Sequence, residues 1–342
     1  MKAIKLDGSF GEGGGQILRT ALSLSCVTGQ AFSLFNIRKG RERPGLMPQH
    51  CTCANAAAAI SSARMSGNEK GSTDLSFTPG RVSAGSYLFD IGTAGSSSLV
   101  LQTLLPPLIF AGDPSRLTIR GGTHVPWSPP FDYIEGVFLP MLRKIGVEVE
   151  ASINRYGFYP RGGGEVAYAI HPPGKLHSLN LKKKGPLLAI KGRSAVARLP
   201  LSIAERQRKA AFEELAPLAA DIEVVEVPAA GPGTFVFLKG QYEHIRAGFS
   251  SLGMRGKPAE KVGREASRQF RAFHASPACL DQHLADQILL YLALAGAESS
   301  FTVSRITGHL MTNLWVIEQF LTIQYRVEGD SGSEGRVVIR PQ

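Results

Sequence analysis

The chain has 342 residues, 43% of them hydrophobic, which is enough to build a large core and excludes a disordered or fibrous chain. Its 38 basic against 28 acidic side chains leave a formal charge of +10, the balance of a protein that attracts a polyanion through its phosphates. The four cysteines, at 26, 51, 53 and 279, make no two-plus-two metal pattern; no charged-then-apolar leader and no bilayer-length apolar run is seen, so we expect reduced thiols, a cytoplasmic protein and no membrane partner.

In chain order, hydrophobic periodicity predicts a strand at Ala3–Leu6, a helix over Gln16–Thr28, a strand near Phe32–Ile37 and an Ala-rich helix over His50–Met65. Strands follow at Leu75–Phe77 and Tyr87–Ile91, then a helix at Ser97–Phe110, a strand at Leu117–Arg120, a helix at Tyr133–Ile145 and a strand at Val147–Ile153. From about 184 to 275 the character changes. That stretch opens on Lys182-Lys183-Lys184-Gly-Pro and carries a charged helix Ala204–Leu215, a strand pair around Val224 and Val236, and a basic helix Pro258–Phe273. A helix over Ala278–Ala295 comes next, with Ser276 as its N-cap and Pro277 at its first position. A helix at Thr312–Phe320 and strands at Ile323–Val327 and Arg336–Ile339 close the chain.

The expected fold is therefore α/β (α+β): similar α/β units make a large domain, and a smaller α/β domain is inserted in the third unit. The expected boundaries are 1–183, 184–275 and 276–342. Glycine triplets at 13–15 and 162–164 lie at the junctions of separate units and fit distant internal repetition.

Four segments carry side chains suited to chemistry. Gly8-Ser-Phe-Gly-Glu-Gly-Gly-Gly-Gln16 runs from a strand into a helix, where backbone amides favour anions. It is neither a P-loop nor a dinucleotide fingerprint. Glu12 suits a carboxylate that holds a divalent cation against polyphosphate, or else a solvated residue in a tight turn. Arg38-Lys-Gly-Arg41-Glu-Arg43, running on to Gln49-His50, offers guanidinium forks for phosphate oxygens.

His283, Asp286 and Gln287 share one helical face at i, i+3 and i+4, opposite a core stripe of Leu284, Ile288, Tyr291 and Ala295. They could read a nucleobase, orient a catalytic group or cap a neighbouring loop. His309, between a strand-like run and a helix, occupies a corner where a side chain projects into a cleft; a neutral imidazole there can attack phosphorus, although a histidine beside Leu and Met is more often structural.

Several ordered motifs join these segments: Glu-Gly-Gly-Gly-Gln-Ile-Leu-Arg at 12–19, Pro-Gly-Leu-x-x-Gln-His at 44–50, Ala-Gly-Ser at 94–96, Gly-Phe-Tyr-Pro-x-Gly-Gly-Gly at 157–164, Leu-Ala-Asp-Gln at 284–287 and Gly-His at 308–309. Through them the sequence resembles the RNA 3′-terminal phosphate cyclase family over nearly the whole chain, least over 184–275. The resemblance implies three α/β repeats with a small inserted domain. It also implies that a histidine matching His309 attacks the α-phosphorus of ATP, passes AMP to an RNA 3′-phosphate and so permits closure to a 2′,3′-cyclic phosphate.

By the same resemblance Glu12 would hold Mg²⁺ or Mn²⁺. Arg19, Arg38, Arg41 and Arg43, with Gln49 and His50 of the adjoining motif, would meet the triphosphate and the RNA terminus. The ATP site would be formed by Gln102, by His283, Leu284, Ala285, Asp286 and Gln287, and by Pro129, which with Pro130 walls the pocket; Asp286 would orient His309 or the nucleotide. Many relatives carry Tyr where this chain has His283, so the ring expected to stack on adenine is smaller. Partners would be RNA 3′-phosphate ends and a second copy in a homodimer. Two rival readings are a non-catalytic RNA-binding or ribosome-assembly relative and a transferase acting on a small phosphorylated metabolite; retention of His309 and Asp286 weighs against the first, the basic loop against the second.

Overall fold

The computed structural model describes residues 3–342. The first unit comprises β1 (Ile4–Asp7), α1 (Gln16–Thr28), β2 (Phe32–Phe35), α2 (Pro48–Ser61), β3 (Arg64–Ser66) and β4 (Leu75–Thr78). Its sheet has the order β1-β2-β4-β3, with β1 and β2 parallel and the other pairs antiparallel. α2 ends short of the predicted Met65 because Ser62 takes a left-handed conformation and Arg64–Ser66 pairs with β4.

The second unit repeats that plan with β5 (Ser86–Asp90), α3 (Ser97–Ile109), β6 (Ser115–Gly121), α4 (Phe131–Tyr133), a π-turn at Ile134–Phe138, α5 (Leu139–Arg143), β7 (Glu148–Arg155) and β8 (Gly164–His171). The strand order is β5-β6-β8-β7, again with only the first pair parallel.

After β9 (Asn180–Leu181) the chain builds a separate sheet from β10 (Leu187–Ala197), β11 (Asp221–Glu226), β12 (Gly233–Tyr242) and β13 (Arg246–Leu252), with α6 (Leu201–Leu215) and α7 (Ala259–Ala275). The order is β11-β10-β12-β13. The strands around Val224 and Val236 are therefore not partners, because β10 lies between them, parallel to β11 and antiparallel to β12.

α8 (Gln282–Leu294), β14 (Ser299–Val303), α9 (Gly308–Phe320), β15 (Ile323–Glu328) and β16 (Gly335–Pro341) then join β9 in a sheet of order β15-β16-β14-β9. Read from β9, this is the order of the first two units, with β9 and β14 parallel. Mixed α/β architecture with several small sheets is thus present, and three of the four sheets share one topology.

The sequence places the start of α8 too early. Ser276 Oγ accepts from Ala278 N–H, but the next residues extend beside β14, where the Cys279 and Leu280 amides bond to the Thr302 carbonyl. The cap is Asp281, whose Oδ1 takes the His283 and Leu284 amides at 2.9 and 3.0 Å while its carboxylate accepts from Tyr133 Oη. Among the described residues no helix is long and apolar enough to cross a membrane.

Candidate active site

The glycine-rich loop between β1 and α1 is held against α9. Phe10 stacks on Trp315 with ring centroids 4.0 Å apart, and Glu12 N–H donates to Thr312 Oγ1 at 3.3 Å. Gly11 has φ +56°, and a Cβ there would lie 2.3 Å from Thr312 Oγ1, so both conformation and space require glycine. These contacts bring Glu12 to the start of α9.

That helix begins at Gly308, earlier than the predicted Thr312, because Thr307 caps it by accepting Leu310 N–H at 3.1 Å. His309 therefore lies in its first turn. His309 Nδ1 is 2.7 Å from Gln16 Oε1, and Nε2 is 2.8 Å from Glu12 Oε2. Both ring nitrogens are engaged, Nδ1 by the Gln16 carboxamide and Nε2 by the Glu12 carboxylate, which fixes the orientation of the ring. Burial lowers the His309 pKa; Glu12 opposes that, while Arg19, His283 and Arg41 add to it. The net direction favours the neutral imidazole.

A lone pair and a carboxylate at that distance repel unless a proton or cation lies between them. Arg41 supplies part of the positive charge, 3.7 Å from Glu12 Oε2 and donating to the Glu12 carbonyl at 3.1 Å. Among the described residues no group of three His, Cys, Asp or Glu side chains forms a metal cage. The donor set fits a hard divalent cation shared between one carboxylate and phosphate oxygens.

His309 lines two cavities. The larger, about 390 Å³, is walled by Gln16, Arg19, Thr20 and Ser23 of α1, by Gln102 of α3, and by Pro129 and Pro130. His283, Asp286, Gln287 and Tyr291 of α8 face it, as do Phe249 and Gln269 from β13 and α7. Gln287 Oε1 and Tyr291 Oη are buried without a hydrogen-bond partner among the described residues, two polar atoms suited to a ligand. The smaller cavity, about 290 Å³, is lined by Glu12, Asp286, Arg305 and Ser331, among others.

Asp286 lines both cavities but makes no side-chain hydrogen bond to His309 among the described residues; Gln16 orients that ring instead. Burial and the charge of Asp281 push the Asp286 carboxyl well above its ordinary range, with Arg19 offsetting part of the rise. Asn313 ties the walls together, donating to the Asp286 carbonyl at 2.6 Å and accepting from Thr20 Oγ1 at 2.7 Å.

Other sequence-predicted residues lie outside the cavity walls. Leu284 and Ala285 are fully buried and pack into the core. Arg38 turns inward, donating to the Arg43 and Gly45 carbonyls at 2.7 and 2.9 Å, which stiffens the basic loop; Arg43 itself is exposed. Gln49 Oε1 accepts Ser96 N–H at 2.7 Å, at the head of α3. His50 is buried behind the glycine loop, with Nδ1 accepting from Met47 N–H at 3.1 Å. Burial and the charges of Arg19 and Arg38 push its pKa down to about 3, so it is a neutral donor through Nε2 and not a cation.

The residues that sequence reasoning missed are Gln16, Asn313, Trp127, Tyr291, Phe249 and Gln269. The first had a signal, because Gln16, Arg19, Thr20 and Ser23 make a polar i, i+3, i+4, i+7 stripe on an otherwise apolar helix. Tyr291, read as part of the core stripe of α8, is buried in the core and also lines the larger cavity.

Comparison with known proteins adds an independent line. A family profile described as RNA 3′-terminal phosphate cyclase matches residues 10–327. The chain is 49% identical over 330 residues to a protein of that name from Methylococcus capsulatus, covering 94% of this chain and 91% of the relative. It is 44% identical to its namesake from Pyrococcus furiosus, over 98% of each chain, and 44% identical to that of Methanopyrus kandleri, over 100% of each.

Proposed function

The chain belongs to the RNA 3′-terminal phosphate cyclase family of ligase-type enzymes, and from that premise we propose that it converts an RNA 3′-phosphate to a 2′,3′-cyclic phosphate at the expense of ATP, through AMP carried on His309. The observation that carries this reading is His309 itself: Gln16 holds its Nδ1, its Nε2 faces the Glu12 carboxylate, and the ring lines both cavities. Nε2 attacks the α-phosphorus of ATP, and the P–O bond to pyrophosphate breaks with its electron pair on the leaving oxygen. An oxygen of the RNA 3′-phosphate then attacks the same phosphorus, and the P–N pair returns to His309. The ribose 2′-oxygen finally attacks the 3′-phosphorus as AMP departs, its proton passing to solvent.

Each residue has a physical task in this scheme. A divalent cation held by Glu12 would neutralise charge building on phosphate oxygens. Arg19 and Arg41 would add guanidinium donors, for which one well-placed hydrogen bond is worth about 3 kcal/mol in such sites. Gln102, Pro129, His283 and Gln287 would contain the adenosine, with Gln287 Oε1 available to accept from an exocyclic amine. In the same reading residues 184–275 are an inserted unit, supported by their own sheet falling in sequence between β9 and α8. Arg38, Gln49 and His50 would act by supporting the loop, through their bonds to the Arg43, Gly45, Ser96 and Met47 backbone.

The test is incubation with α-³²P-ATP and Mg²⁺ or Mn²⁺, wild type against His309→Ala, followed on a denaturing gel. An acid-labile, alkali-stable label that the variant loses is expected. No label in wild type with either metal sinks the nucleotidyl-histidine mechanism.

A further inference from the structure

Trp127 is 98% exposed, and of the large apolar side chains exposed on the described residues it alone lines either cavity. Its backbone φ is +64°, a region that bulky residues enter rarely and at a cost in conformational energy. The turn that holds it there is stiff. Pro126, Pro129 and Pro130 limit φ on both sides, Ser128 Oγ donates to the Val125 carbonyl at 3.2 Å, and Phe131 N–H closes the loop onto the Thr123 carbonyl at 3.1 Å. Neither the strained backbone nor the hydrated indole serves packing, so both point outward to a ligand.

We propose that Trp127 is the platform on which a base near the 3′ end of single-stranded RNA stacks while its terminal phosphate reaches His309. This inference rests on the His309 reading above. Adenine of ATP has a different place: the cavity interior offers the Pro129 wall and the unpartnered Gln287 Oε1 and Tyr291 Oη, which select one base by hydrogen bonding. The face of Trp127 carries no such neighbours and stands at the mouth, where a polynucleotide must leave the site once its end is inside. A bare π-face accepts any base, provided the base is unpaired.

The chain has two tryptophans, Trp127 and Trp315, and Trp315 stacks on Phe10, so the difference between wild type and Trp127→Gly isolates the emission of Trp127. Purified wild type and Trp127→Gly are titrated with a 3′-phosphorylated oligoribonucleotide and, separately, with ATP. RNA quenches the wild type, ATP does not, and the RNA quench vanishes in the variant. In cyclisation assays Trp127→Gly raises KM for the oligonucleotide roughly 5- to 100-fold, the worth of one stacked base, with kcat and the α-³²P-ATP label unchanged. Glycine accepts φ +64°, so the variant melts no lower than wild type and a lost interaction is not lost folding.

Quenching by ATP in place of RNA, or an unchanged KM in Trp127→Gly, overturns the proposal. Wild type that takes no label yet is still quenched by RNA overturns the His309 reading and leaves the platform standing.

Discussion

His50 gives the sharpest test of the electrostatics behind the glycine loop. Its pKa falls from the ordinary 6.5 to about 3 because it is buried against Arg19 and Arg38. Between those values the unfolded chain binds a proton that the native protein does not, so native stability drops as pH falls below 6.5 and stops dropping below about 3. The contribution is about 0.2 kcal/mol at pH 7 and about 2 kcal/mol at pH 5. His50→Asn removes the titration while its side-chain oxygen can still take the Met47 amide. Urea unfolding of both proteins at pH 7 and pH 5 should show a stability loss about 2 kcal/mol larger in the wild type. In an NMR titration the wild-type His50 ring should not move between pH 7 and 4. An equal pH response in both proteins, or a His50 ring titrating near 6, would refute the claim that this side chain is neutral and desolvated.

Three further outcomes separate positioning from folding. Gly308→Ala places a Cβ 2.9 Å from Glu12 Cγ, so it should slow AMP labelling roughly 10- to 100-fold by moving the carboxylate, with thermal stability unchanged. Arg41→Ala should reduce labelling without lowering the melting temperature, whereas Arg38→Ala should lower the melting temperature and increase proteolytic nicking of the 38–45 loop; both are read by labelling, melting and limited trypsin digestion. Asp281→Ala should cost about 2 kcal/mol in urea unfolding, since two helix-start amides and the Tyr133 hydroxyl lose their acceptor, and Asp281→Asn should recover most of that.

The alternation of strands and helices was legible because each unit buries one apolar face, and α1 matches its predicted span, Gln16–Thr28. Helix starts were less so. Ser276-Pro277 is a good local cap signal, but the pairing of Leu280 with Val303 outweighs it and leaves Asp281 to cap α8. The charged loop shows a different limit. Arg38, Arg41 and Arg43 look alike in sequence, yet Arg38 spends its donors on two backbone carbonyls and Arg41 reaches Glu12. Charge spacing reports where guanidiniums are, not which ones already have acceptors. Trp127, Phe249 and Gln269 lack any local signature, because each matters only through a fold that brings it to His309.

That last point follows from where the second unit meets the β10–β13 sheet. His124 Nε2 lies 2.8 Å from Asp132 Oδ2, and Thr123 Oγ1, which accepts the Gly157 amide, contacts His124 Nδ1 at 2.9 Å. Burial alone would raise the Asp132 pKa, but the bond to His124 and the charges of His124 and Arg193 hold it below the usual range. Arg193 of β10 donates to Asp132 Oδ1 at 3.2 Å and to Tyr156 Oη at 3.0 Å. Removing one partner of such a buried pair leaves an uncompensated charge, so the three groups hold one another in this arrangement. The cluster ties the 121–132 loop to the sheet that supplies Phe249, with Gln269 from α7, to the larger cavity. Phe249 and Gln269 of the 184–275 segment line the larger cavity, while Trp127 stands six residues after Gly121, where β6 ends, on the loop that carries the clamp. The rigidity of the clamp and the strain at Trp127 belong to one loop, 121–132, which anchors the neighbouring sheet through His124 and Asp132 and holds the exposed Trp127 between them.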